Sequence, residues 1–153
     1  MEFDELEESA EQELKRADHL IYVTLKYTRT VDVIKNTIKR LISAYDFAIL
    51  NALKYLKIKE ISDVPRVRVK QLEEKKPEFK SDMKFYLLLK ELDAAPFRRK
   101  EEYRKNVALV TDIMDVNFEK LRSFFERTIL FVKNIEELTK EKITIKKTKK
   151  KKR

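Results

Sequence analysis

Apolar residues recur at steps of three and four along almost the whole chain, which is the period of a helix packed on one face. Phe3, Leu6, Ala10, Leu14, Ala17, Ile21 and Leu25 trace such a face and predict a first helix over Phe3–Tyr27. Its opening acids sit where a helix dipole favours negative charge. Thr28, Arg29 and Thr30 break the pattern; Thr30 is placed to cap the next helix, with Asp32 in its first turn. Val31, Ile34, Ile38, Leu41, Tyr45, Ala48, Ala52 and Tyr55 or Leu56 then form a stripe over Val31–Lys57, widened by Ile42, Ile49 and Leu53. A stripe this broad faces more than one neighbour and places the helix centrally.

Residues 58–63 read as a connection, with Ser62 or Asp63 available to cap a short helix over Val64–Lys76 that carries Pro65 in its first turn. Pro77 interrupts it. Phe79, Met83, Tyr86 and Leu89 give a further helical face over Glu78–Leu92, and Asp93–Pro96 ends it. From Phe97 to Leu138 there is no Pro, and Tyr103, Val107, Val110, Met114, Phe118, Leu121, Phe125, Ile129, Val132 and Ile135 keep near-heptad spacing. One helix over that span would be about 60 Å long, so it either bends near Asp112–Asn117 or projects and pairs with a second copy as a homodimer. The predicted fold is all-α: an antiparallel up-and-down bundle of four main helices with a short extra helix and a long C-terminal helix. The bundle occupies residues 1–139 and a flexible lysine-rich tail residues 140–153. Up-and-down threading brings the acidic start and the basic tail to the same end.

Composition sharpens this picture. The chain has no glycine, so it is poorly suited to many tight β-turns and cannot hold a phosphate-cradling loop of the usual form. It has no cysteine, which removes disulfides, thiol nucleophiles and cysteine-based zinc sites. No segment is long and apolar enough for a membrane span, and the acidic opening lacks a signal-peptide core, so a cytoplasmic protein is expected. Lys and Glu are abundant while Gln is scarce, which points to a heat-adapted, archaeal source. The net charge of +9 is localised: Lys140–Arg153 holds nine basic residues and one acid, which leaves the body near neutrality.

His19 is the only histidine, the one side chain that ordinarily titrates near neutral pH. It shares helical spacing with Tyr22, Lys26 and Arg29, and Arg16 lies one turn before it; His19, Arg16, Tyr22 and Arg29 are therefore the candidate catalytic residues. A hydrogen bond to a neighbouring helix is the structural alternative for His19. With no second histidine and no inward Glu-x-x-His pair, neither a metal site nor a cofactor is expected. Asp46, between Tyr45 and Phe47, is the acid that calls for a buried Arg or Lys partner. The expected nucleic-acid contacts are Lys146, Lys147, Lys149, Lys150, Lys151, Lys152 and Arg153, with Arg98, Arg99, Lys100 and Arg104, around Tyr103, as a secondary cluster. Lysines in such a tail neutralise phosphates without reading sequence, and the absence of aromatic residues among them argues against base stacking there.

The block from Arg40 through Ala44-Tyr45 to Leu56 resembles the second helix of HEPN domains, helical bundles of prokaryotic toxin–antitoxin and RNA-processing systems. The ribonucleases of that family use an arginine followed at four to six residues by a histidine on a late helix. No histidine follows His19 here, so the resemblance implies a non-catalytic member. The segment Arg16–Asp32 is also similar to part of an uncharacterised archaeal helical family. The expected function is a non-enzymatic helical interaction module whose basic tail binds nucleic acid, RNA ahead of DNA, or an acidic partner. The alternatives are a HEPN-like ribonuclease or toxin–antitoxin component using His19, and a dimeric helical scaffold.

Overall fold

A computed structural model describes the backbone of residues 2–151 and the side chains of residues 10–140. The first helix, α1 (Glu2–His19), passes without a break through a π turn (Leu20–Thr24) into the last turn α2 (Leu25–Tyr27). Then follow α3 (Val31–Tyr55), α4 (Pro65–Lys75), a 3₁₀ turn (Pro77–Phe79) and α5 (Lys80–Ala94). Three short strands, β1 (Phe97–Lys100), β2 (Ala108–Thr111) and β3 (Asp115–Val116), precede α6 (Phe118–Lys151). The protein is mostly helical.

Helix α3 is central, as its broad stripe predicts: α1, α4, α5, α6 and β2 all pack on it. Thr30 caps it, its hydroxyl accepting from the Val33 amide at 3.4 Å. Its Thr37 is fully buried and returns its hydroxyl to the Val33 carbonyl at 2.8 Å. Tyr45 stacks on Phe131 of α6 (4.8 Å between ring centres, 20° between planes) and touches Phe85 and Tyr86 of α5. Phe124 of α6 closes the cluster against Phe85 at 5.3 Å. Helices α1 and α6 run antiparallel, with Ala10 beside Val132 and Ile135 and Tyr22 against Phe118 and Phe125. Glu13 of α1 is buried and satisfied by Arg16 at 2.6 Å and Arg40 of α3 at 3.2 Å.

The all-α expectation fails between Phe97 and Asn117. The expected single helix over Phe97–Leu138 begins only at Phe118, and the residues before it form an antiparallel sheet in the order β1-β2-β3. Phe97 pairs with Thr111, Lys100 with Ala108, and Leu109 with Val116. Two local causes favour strands. Pro96 holds Ala95 extended (ψ 146°), and the run Val107–Thr111 is rich in β-branched residues. The spacing misleads because Tyr103, Val107, Val110 and Met114 fit a helical period as well as a folded-back sheet. The β2–β3 turn is made by Thr111, whose hydroxyl accepts from the Ile113 and Met114 amides and donates to the Met114 carbonyl at 2.8 Å. Of the stripe expected on that helix, Val107, Leu121, Phe125, Val132 and Ile135 are buried in the core.

Glycine-free turns carry a cost at three places. Lys57 (φ 57°), Glu101 (φ 50°) and Tyr103 (φ 66°) all occupy the left-handed region. Lys57 closes α3 in a Schellman arrangement, with the Ile58 amide bonding the Leu53 carbonyl at 3.3 Å and the Lys57 amide that of Lys54 at 3.1 Å. A left-handed residue with a Cβ costs roughly 1–2 kcal/mol, and glycine's looser unfolded chain gives back roughly 0.4–1 kcal/mol. Lys57→Gly is therefore expected to stabilise the fold by about 0.5–1 kcal/mol, read as a higher urea midpoint. A lower midpoint would contradict this account of the turn.

Candidate functional site

The β1–β2 loop and the corner between α2 and α3 hold each other in place. The Tyr103 amide donates to the Arg29 carbonyl at 2.6 Å, across 74 residues of chain, which fixes one of the two left-handed residues of the loop. Glu102 reaches the first turn of α3 and accepts from the Val31 amide at 3.1 Å. A carboxylate at a helix start satisfies an otherwise orphan N–H and complements the dipole. Arg99 joins the two elements further, bonding Asp32 at 2.9 Å and Glu102 at 3.3 Å. The Arg99 hydrogen bond holds the Asp32 carboxyl below its ordinary range. Phe97, at the start of β1, lies under the Lys35 ammonium of α3 at 4.1 Å.

This docking closes one side of a cleft of about 500 Å³. Its floor is apolar, from Ile21, Leu25 and Val107. Tyr22 and Phe118 supply aromatic walls, set at 84° with ring centres 6.2 Å apart. Lys26, Arg29 and Lys105 line it as well, and none of the three makes an ion pair or a side-chain hydrogen bond among the described residues. The one acid in the lining, Glu119, is engaged by Arg122 at 2.8 Å. Asn117 caps α6 through its carbonyl oxygen, which accepts from the Lys120 amide at 2.9 Å, while the Asn106 side chain is unbonded among the described residues. The π turn contributes Ile21 and Tyr22; such single π turns within α-helices recur at functional sites.

Of the four candidate catalytic residues the structure brings two together. Tyr22 and Arg29 line the cleft, whereas His19 is exposed and outside the lining, and Arg16 is committed to Glu13. No side-chain hydrogen bond or ion pair is present at His19 among the described residues, so the bond to a neighbouring helix is absent there. In the secondary basic cluster Arg98, Lys100 and Arg104 are exposed, but Arg99 is neutralised by Asp32 and Glu102. Lys146, Lys147, Lys149, Lys150 and Lys151 lie outside the residues whose side chains are described, and Lys152 and Arg153 lie outside the described residues altogether. Asn106, Asn117 and Phe118 are lining residues that sequence reasoning missed. They are brought to the first helix by the hairpin, for which the spacing carries no signal.

Asp46 has a different partner from the expected Arg or Lys. Its carboxylate accepts from the Tyr86 hydroxyl, with Lys90 and Arg68 as the nearest favourable charges. Burial dominates and pushes the Asp46 carboxyl above the ordinary 3.8, and burial raises Tyr86 as well. The pair joins α3 to α5 and is not part of the cleft. No helix among the described residues is long and apolar enough to cross a membrane. No group of three His, Asp or Glu among those residues converges to hold a metal ion.

Comparison with protein-family models, with curated proteins and with solved structures gives no match.

Two outcomes test the site's frame. Glu102→Ala is expected to cost about 1–2 kcal/mol, the loss of a helix cap together with a buried N–H left unpaired. It should also speed tryptic cleavage at Arg104 and Lys105; unchanged stability and unchanged cleavage would mean the loop is held by other contacts. For Asp46 the sign follows from its raised native value. Above the unfolded value of 3.8 the native state keeps a proton that the unfolded state has lost, so stability falls as pH rises through that window. Asp46→Asn keeps an acceptor for Tyr86 and should flatten this fall in urea titrations between pH 4 and 7. A steeper profile would contradict the assignment.

Proposed function

We propose that the protein is a non-enzymatic helical module that binds single-stranded RNA at the α2–α3 corner, with the lysine-rich C-terminal segment adding affinity. The observation that carries this reading is the surface beside the cleft. Tyr27 and Tyr103 are 80% and 77% exposed, on two segments that the Tyr103–Arg29 hydrogen bond holds at one corner. Around them stand Lys26, Arg29, Arg104 and Lys105, none in an ion pair among the described residues. Large rings left in water among free cations are the elements of a stacking platform for unpaired bases. RNA is read chiefly through such splayed, stacked bases. DNA single strands can use the same platform less well where a 2′-hydroxyl contributes.

The position of His19 favours binding over cleavage. A general acid or base must reach a proton on a positioned substrate, and His19 stands outside the cleft lining without a partner among the described residues to orient it. Lys146–Arg153 then supplies a sequence-independent, salt-sensitive contribution.

Fluorescence anisotropy with a labelled single-stranded RNA tests this across salt concentrations. Tyr27→Ala with Tyr103→Ala should weaken binding about 10-fold or more, since stacking on one ring is worth roughly 1–3 kcal/mol. Replacing Lys149, Lys150, Lys151 and Lys152 with serine should reduce the salt slope by about 3, near 0.7 per phosphate contact. Affinity insensitive to both sets of changes would overturn the reading, as would RNA cleavage that disappears in His19→Ala.

A further inference from the structure

We propose that the cleft between the π turn and the start of α6 is a pocket for a single nucleoside phosphate. The inference deepens the RNA-binding reading and rests on it for the kind of partner. Three features of the lining narrow the ligand.

Charge comes first. Several arginines of the body are matched: Arg16 and Arg40 share Glu13, and Arg99 holds Asp32 and Glu102. Lys26, Arg29 and Lys105 line one cleft with no carboxylate partner, and Glu119 is already taken by Arg122. Cations gathered in a concave, partly apolar site raise the local concentration of anions, and an arginine among them favours phosphate over a diffuse negative charge.

The floor and walls come second. An inorganic anion would leave the Tyr22 ring, 42% exposed, facing water, so a ligand with a flat or apolar part fits the cleft better. Tyr22 is held edge-on by both Phe118 and Phe125 (6.2 and 6.3 Å). It therefore stands as a fixed ring against which a base can lie, and bases splayed from a strand are bound by such rings. A volume of about 500 Å³ falls in the range of small-ligand pockets.

Hydrogen-bonding capacity comes third. Asn117 uses its oxygen on the Lys120 amide and so keeps its NH₂ to donate, while Asn106 retains both a donor and an acceptor. A hydrocarbon chain ending in a carboxylate would have no use for these amides; the edge of a base does. The base thus sits against Tyr22 and Phe118 and the phosphate meets Lys26, Arg29 and Lys105.

The unit can arrive as a free nucleotide or as one nucleotide of a strand. Isothermal titration of the full chain with the four ribonucleoside 5′-monophosphates, adenosine, inorganic phosphate and a 5′-phosphorylated oligoadenylate hexamer separates these sources. At least one mononucleotide is expected to bind saturably, 10-fold or more tighter than either phosphate or adenosine. Lys105→Ala, at an exposed position without partners, should weaken it several-fold with an unchanged melting temperature, and Arg29→Ala with Lys105→Ala more than 10-fold. Tyr22→Leu should weaken it about 10-fold while Tyr22→Phe, which keeps the ring, should not. A hexamer bound more than 10-fold tighter than its mononucleotide identifies a strand as the source; equal affinities identify the free nucleotide. Phosphate binding as tightly as every nucleotide, no saturable nucleotide binding, or indifference to the Arg29 and Lys105 changes would overturn the pocket. RNA binding that depends on Tyr27 and Tyr103 without mononucleotide binding removes the pocket and leaves the RNA reading standing. Nucleotide binding without RNA affinity does the reverse.

Discussion

The burial of α3 on several sides is the constraint from which the remaining architecture follows. A helix covered along its length must satisfy its end groups from within the protein, because water cannot reach them. At its start the available partners are Thr30 and, from a distant loop, Glu102. At its end there is no glycine, so Lys57 adopts the left-handed conformation itself. The first solution has the wider consequence. By recruiting Glu102, the amino end of α3 binds the β1–β2 hairpin, and the hairpin carries Lys105, Asn106 and Val107 to the first helix. A helix cap thereby becomes one wall of a cleft.

Charge is arranged around the same corner. Ion pairs tie elements of the body together: Glu13 joins α1 to α3, and Arg99 joins β1 to α3. These pairs orient the elements, and those at the surface contribute little stability by themselves. The cations of the cleft take part in no such pair among the described residues, and the two most exposed tyrosines stand beside them. Free charge next to exposed rings is the arrangement on which the binding proposal rests.

Much of the fold was legible in local patterns. The stripe from Val31 to Leu53 located the central helix, Thr30 and Pro65 marked helix starts, and Pro77 and Pro96 marked ends within one or two residues of those observed. The segment Phe97–Asn117 was not legible, because Tyr103, Val107, Val110 and Met114 satisfy a helical period and a hairpin equally. Absence of glycine reinforced the wrong choice. It makes tight turns costly without forbidding them, and the chain meets that cost with Glu101 and Tyr103, Tyr103 being anchored by its bond to Arg29, and with the Thr111 hydroxyl at the second turn. Half of the candidate site was visible in the same way: Tyr22 and Lys26 share one helix and Arg29 follows its end at the same spacing, so they declare themselves locally. Lys105, Asn106 and Asn117 could not, since no local rule relates them to residue 22.

By itself the sequence determined the helical character of the chain, its central element, the concentration of positive charge at its C-terminus and the lack of cysteine-based chemistry. These follow from residue type and short-range period, which act within a few turns of backbone. Only the tertiary structure decided that the last predicted helix begins with a sheet, and that Tyr22 and Arg29 line a cleft whose lining does not include His19. It also decided that an apparently diluting acid, Glu102, is the residue holding the hairpin to α3. Each of those outcomes depends on satisfying a buried polar group or covering an apolar face with residues some 70–100 positions away. Which distant group is available for that task is a property of packing, and the chain's local pattern holds no record of it.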